Sequence, residues 1–132
     1  MQGGMSRMSK YFSEDEFRCK GEECGCGHSL PENGMDATLL ILLEEVRSRL
    51  GSAITISSGY RCPIHNANVG GVIDSQHVQG CAADCTQSVL SIDDFATLVE
   101  DTMADLDIEG GIGRYYDEGF VHVDTRGYTT RW

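Results

Sequence analysis

Leu39, Leu40, Leu42, Leu43, Val46 and Leu50 recur at the three- and four-residue spacing of a helix with one buried side. Asp36 stands at the N-cap position and Gly51 just past the last apolar residue, so the pattern predicts a helix from about Ala37 to Leu50. A second helix opens at Ser91-Ile92-Asp93-Asp94 and carries Phe95, Leu98, Val99 and Met103 to about Asp105. Elsewhere the period shortens. Ala53 to Ser57 alternates and is β-branched, which predicts a strand, and Ala82 to Thr86 is a short strand candidate. Gly111 to Tyr115 and Phe120 to Asp124 read as two strands joined by Asp117-Glu118-Gly119, a hairpin-turn composition. Near the start, Ser13 precedes Glu16 by three residues, the spacing of a capping box, so Tyr11 to Phe17 predicts a short helical turn.

Two stretches lack a period. Arg18 to Pro31, rich in Gly, Cys and charge, reads as an irregular loop. Gly59 to Ser75, with Pro63 and Gly70-Gly71, reads as a long loop of the kind that usually carries function. The order of elements implies an α+β fold, with helices packed on a small antiparallel sheet. A chain of 132 residues supports one modest core, so a single domain is expected over residues 11–132, preceded by a loosely ordered tail over residues 1–10.

Charge narrows the partners. A net charge of -11 without a basic stripe argues against nucleic acid, whose binding rests on Lys and Arg neutralising phosphates. No apolar run approaches the roughly 18 residues of a membrane span. Met1 to Lys10 has no hydrophobic region of a secretory signal, so the expectation is synthesis in the cytoplasm with any export achieved by other means. A monomer is the default for a chain of this size.

The chemistry concentrates in Ser75-Gln76-His77-Val78-Gln79-Gly80-Cys81-Ala82-Ala83-Asp84 and in His122-Val123-Asp124. Two imidazoles and one carboxylate are the ligand set of an open catalytic zinc site, in which water takes the fourth position. His77, Asp84 and His122 are therefore the expected ligands. Gly80 gives the backbone freedom to bend between the first two, and Ala82 and Ala83 leave room beside the ion. Asp124 should share a strand face with His122 and lie close to the metal.

These motifs, with Ser58-Gly59-Tyr60-Arg61-Cys62-Pro63, His65-Asn66 and Val69-Gly70-Gly71, resemble the zinc D-Ala-D-Ala carboxypeptidase family, whose fold is shared with the hedgehog signalling domain. The small, often phage-encoded branch is the nearest likeness, and it extends from Tyr11 to Trp132. The resemblance implies zinc at His77, Asp84 and His122, Arg61 on the substrate carbonyl oxygen and its transition state, and Ser75 as a small polar residue beside the metal. The implied activity is hydrolysis of peptidoglycan stem peptides, as a carboxypeptidase or an endolysin-type endopeptidase, at the cell wall after release or as part of a phage. One position departs from the pattern. Many relatives carry the catalytic acid three residues before the last histidine ligand, where this chain has Gly119. Asp124 is favoured by strand alternation and Asp117 by its place in a turn; Glu118 comes third. The alternative function is a zinc-fold module for binding or phage assembly, without turnover.

Six cysteines are many for this length. Cys19, Cys24, Cys26 and His28 could supply four ligands to a second, structural ion, although the spacing is not that of paired CxxC knuckles. Cys62, Cys81 and Cys85 lie around the active-site segments, and Cys81 and Cys85, which flank Asp84, read as small buried hydrophobes.

Overall fold

The computed structural model describes residues 10–132. The expected tail, apart from Lys10, lies outside the described residues. A 3-10 turn at Glu14–Phe17 precedes helix α1 (Ala37–Leu50), strand β1 (Thr55–Ser58), a short helix α2 (Pro63–Asn68) and strand β2 (Ala82–Thr86). Helix α3 (Ile92–Leu106) and strands β3 (Gly111–Tyr115), β4 (Phe120–Asp124) and β5 (Thr130–Arg131) complete the α+β fold.

The helix ends follow from their caps. The Asp36 carboxylate accepts from the Leu39 amide at 3.1 Å, and Ser91 Oγ accepts from the Asp94 amide at 3.0 Å. Gly51 closes α1 in the left-handed conformation. In the first turn, the Glu16 carboxylate reaches back to accept from the Ser13 amide at 2.8 Å.

The sheet runs in the order β1-β2-β4-β3-β5. Its first four strands pair antiparallel, but β5 lies parallel to β3, so the sheet is mixed rather than purely antiparallel as expected. A two-residue strand is too short to show any alternation in sequence. Helix α2 was likewise hidden in the presumed loop. Pro63 punctuates the sequence, yet it occupies the first turn of α2, where its missing N–H costs nothing, and Cys62 caps that turn.

One sheet face builds the core. Ile56, Ala83, Cys85, Val121, Val123 and Ile112 pack with Leu39, Leu42, Leu43 and Val46 of α1 and with Phe95, Val99 and Met103 of α3. Each large aliphatic side chain buried there contributes about 1.5–3 kcal/mol relative to exposure. Phe17 and Phe12 seal the same core beside β1, where Gly59 passes so close that a Cβ would stand 2.7 Å from the Phe17 Cα. The opposite sheet face, freed of that duty, is where the polar residues gather. No helix of the described residues is long and apolar enough to cross a membrane.

Candidate metal centre

Asp84 on β2 is the register partner of His122 on β4. Directly opposed residues of an antiparallel pair project to one face with Cβ atoms about 5 Å apart, so the pairing itself brings this carboxylate and imidazole together. The third group comes from the segment before β2. Gly80 takes a positive φ of 77° and packs against Pro31, which returns the chain from the His77 loop into the strand. Ser75 Oγ accepts from the His77 amide at 3.2 Å, and the His77 carbonyl accepts from the Arg61 amide at 3.3 Å.

The three buried groups offer ligand atoms that all lie within 4.8 Å of one another. His77 Nε2 is 3.2 Å and His122 Nδ1 is 3.0 Å from Asp84 Oδ1. Each ring is held from behind. His77 Nδ1 donates to the Gly59 carbonyl at 2.7 Å, and His122 Nε2 meets Asp124 Oδ2 at 2.7 Å. These outer contacts fix which nitrogen of each ring faces the centre, as in metal sites whose histidines are held by a carbonyl or a carboxylate. Two nitrogens and one oxygen, with no fourth protein ligand beside them among the described residues, suit a tetrahedral zinc that keeps a position for water.

Asp124 lies on the expected face but behind His122. It is fully buried, and its oxygens also accept from the Gly111 amide, the Arg126 amide and the Arg126 guanidinium at 2.7–3.1 Å. Gly111 is required there, since a Cβ would fall 2.5 Å from Asp124 Oδ2. Asp117, by contrast, sits exposed in the turn between β3 and β4.

The charges respond to this arrangement. Burial pushes the Asp84 carboxyl up, but hydrogen bonds from His122 and His77 outweigh it and bring the group down to about 2. The Asp124 carboxyl is likewise held below the usual range, because the His122 and Arg126 contacts overcome its desolvation. Burial works against the His122 cation, yet the two carboxylates beside it raise its pKa overall.

Arg61 reaches the rim of the centre, with Nη2 3.6 Å from Asp84 Oδ2. Its other nitrogens are steadied by Ser58 Oγ and by Asn66 Oδ1, each at 3.3 Å. Asn66 is buried on α2 and donates to the Val72 carbonyl at 2.6 Å, tying Arg61 to the loop that follows α2. The cleft, about 400 Å³, is lined by Arg61, Ser75, His77, Asp84 and His122 and by Tyr115, Phe120, Arg126 and Trp132. Trp132 covers the His122 ring with centroids 5.1 Å apart, and its indole N–H donates to the Tyr115 hydroxyl at 2.8 Å. Gly113 leaves the space for that indole. Asn66 entered the sequence reading only as part of the His65-Asn66 motif, without a role, and Arg126 and Trp132 were not singled out; the aromatic tail with Tyr128 and Trp132 was their only signal.

Away from the cleft, the expected Cys19–Cys24–Cys26–His28 set does not form. The three thiols instead converge with Cys62, and the four sulfurs lie within 4.8 Å of one another. His28 takes φ 57° and turns its ring away, with Nδ1 2.9 Å from the Cys19 carbonyl and Nε2 3.4 Å from Glu22. Cys62 is thus not a plain apolar filler. Cys85 is: it is buried, and burial pushes its thiol far above the ordinary range.

Residues 10–124 match the family model described as Peptidase M15, the zinc D-Ala-D-Ala carboxypeptidase family. No curated protein matches the chain.

Proposed function

The chain belongs to the peptidase M15 family, and from that premise we propose that it is a zinc-dependent peptidase that hydrolyses peptide bonds in peptidoglycan stem peptides. The observation that carries this reading is the convergence of His77 Nε2, His122 Nδ1 and the Asp84 carboxylate at the floor of an open cleft. Zinc held there would polarise a carbonyl and bring the pKa of water to about 7, making a nucleophile at neutral pH. The cleft walls fit a short peptide, with aromatic faces at Tyr115, Phe120 and Trp132 and guanidinium groups at Arg61 and Arg126.

The protein's own residues divide the remaining work. Arg61 donates to the carbonyl oxygen as it gains charge; preorganised donors of this kind are typically worth about 3 kcal/mol. Asp124 holds His122 through Nε2 and so orients a ligand, and its buried, fully engaged oxygens speak against a role as proton acceptor. Of the two candidate acids this leaves Asp117, exposed on the turn between Tyr115 and Phe120; those two residues line the cleft and Asp117 does not, so it would take the proton only by swinging in from the turn. Ser75 fixes the His77 backbone beside the metal. The site of action is the cell wall, reached after release or as part of a phage.

A second reading, a zinc-fold module that binds without turnover, is favoured by one observation: among the described residues, the only carboxylate lining the cleft is Asp84. Incubating the purified protein with muropeptides, with and without a chelator, and weighing the products by mass spectrometry separates the two. Chelator-sensitive cleavage supports the peptidase and identifies the bond cut. Zinc-loaded protein that binds muropeptides and leaves them intact supports the module.

A further inference from the structure

The loop over residues 18–31 has no regular structure, yet it buries Cys19 and presents Cys24 and Cys26 half-buried beside Cys62. We propose that Cys19, Cys24, Cys26 and Cys62 form a second metal site, a closed tetrathiolate that takes a structural zinc and clamps this loop to the N-terminus of α2. The proposal is independent of the peptidase reading.

The donors fit a soft tetrahedral ion. Four thiolates around zinc, each about 2.3 Å from the metal, stand roughly 3.8 Å apart. Here all four sulfurs fall within 4.8 Å of one another, and Cys24 Sγ and Cys26 Sγ are 3.5 Å apart. All are free thiols. A set of four mutually close sulfurs is what one ion needs; two disulfides would need two separate pairs. With every position filled by protein, no place remains for water or substrate, which marks a structural rather than a catalytic ion.

The backbone prepares the site. Gly25 and Gly27 take φ of 70° and 71°, a left-handed conformation that L side chains rarely adopt, and between them they turn Cys24 and Cys26 inward despite only one intervening residue. Amides from two separate segments point at sulfur: Ser29 N–H donates to Cys26 Sγ and His65 N–H to Cys62 Sγ, each at 3.4 Å. Such N–H···S contacts favour the thiolate that a metal requires. Gly21 closes the back, where a Cβ would stand 2.9 Å from Cys24 Sγ.

The position gives the ion its purpose. Cys62 follows Arg61 directly and caps α2, which carries the Asn66 that steadies the Arg61 guanidinium. An ion at Cys62 therefore fixes the start of the segment that aims Arg61 into the cleft.

The test is metal content and cobalt spectroscopy on the full chain, purified under reducing conditions. The proposal expects two zinc equivalents in the unaltered protein and one in the variant carrying His77→Ala and His122→Ala. Cobalt loaded into that variant should show thiolate-to-metal charge transfer and the intense visible bands of a tetrahedral sulfur complex. Adding Cys24→Ser and Cys26→Ser should remove those bands; if that protein does not fold, Cys24→Ser alone should shift them. A metal-free His77→Ala/His122→Ala protein overturns the proposal, as does a cobalt spectrum without sulfur charge transfer. So does an unreduced intact mass showing that these cysteines are joined as disulfides. Absence of muropeptide cleavage by the unaltered, zinc-loaded protein, with the sulfur bands present in the variant, would count against the peptidase reading alone.

Discussion

Asp124 Oδ2 lies 2.7 Å from His122 Nε2, two positions along the same strand, and this contact leaves Nδ1 as the nitrogen turned toward Asp84. The strand alternation that puts Asp124 and His122 on one face thus builds a positioning contact. Asp124→Asn keeps the volume but weakens the hold on the ring. Losses of this kind typically cost about 10–100-fold in metal affinity. Chelator competition should show that drop, with melting measured alongside to separate it from unfolding. An unchanged zinc affinity would show that the ring is held by other means.

Asp117→Asn should behave differently. Zinc affinity should stay at the level of the unaltered protein, because Asp117 is exposed on a turn and touches neither histidine ligand. Turnover should fall by about 10²–10⁴, the usual worth of general acid–base catalysis. Full activity in this variant would remove Asp117 from the mechanism.

For Arg61→Ala the expectation is retained zinc with turnover lowered by about 10²–10³, corresponding to one lost oxyanion donor. Steady-state kinetics on a muropeptide check it. A change confined to KM would make Arg61 a binding residue only.

The pH dependence has two arms. Asp84 sits near 2 when folded, below the ordinary carboxylate value of about 3.9, so its contribution to stability is present above that ordinary value. It is lost as pH falls through about 2. His122 is raised when folded, so its contribution in the metal-free protein is complete below the ordinary histidine value and lost as pH rises through the folded one. Zinc must displace that proton. Zinc affinity should therefore climb with pH until His122 is neutral, with proton release on binding measurable by calorimetry in buffers of different ionisation heat. A pH-independent affinity would contradict the raised value.

The long-period features of the fold were legible because they repeat. Helix α1 announced itself through the helical spacing of Leu39, Leu40, Leu42, Leu43, Val46 and Leu50 between Asp36 and Gly51, and its observed bounds are the expected ones. The strands that oppose Asp84 and His122 were visible as a short strand candidate at Ala82 to Thr86 and as the second arm of a hairpin at Phe120 to Asp124. Helix α2 and strand β5 were not, since one begins at a proline that punctuates sequence and the other is two residues long. The site divided in the same way. Ligand types can be read from a motif, whereas the partner of each ring's second nitrogen depends on tertiary approach, as the Gly59 carbonyl on His77 shows. Cys62 illustrates the same limit: it lies 36 positions from Cys26, and only the folded chain brings it into place of His28.

The most direct test of the zinc site is a crystal of zinc-loaded protein measured on either side of the zinc absorption edge. The account predicts an anomalous peak about 2.0–2.2 Å from His77 Nε2, His122 Nδ1 and an Asp84 oxygen. A peak bound to His122 through Nε2, or no peak between these three residues, would contradict it.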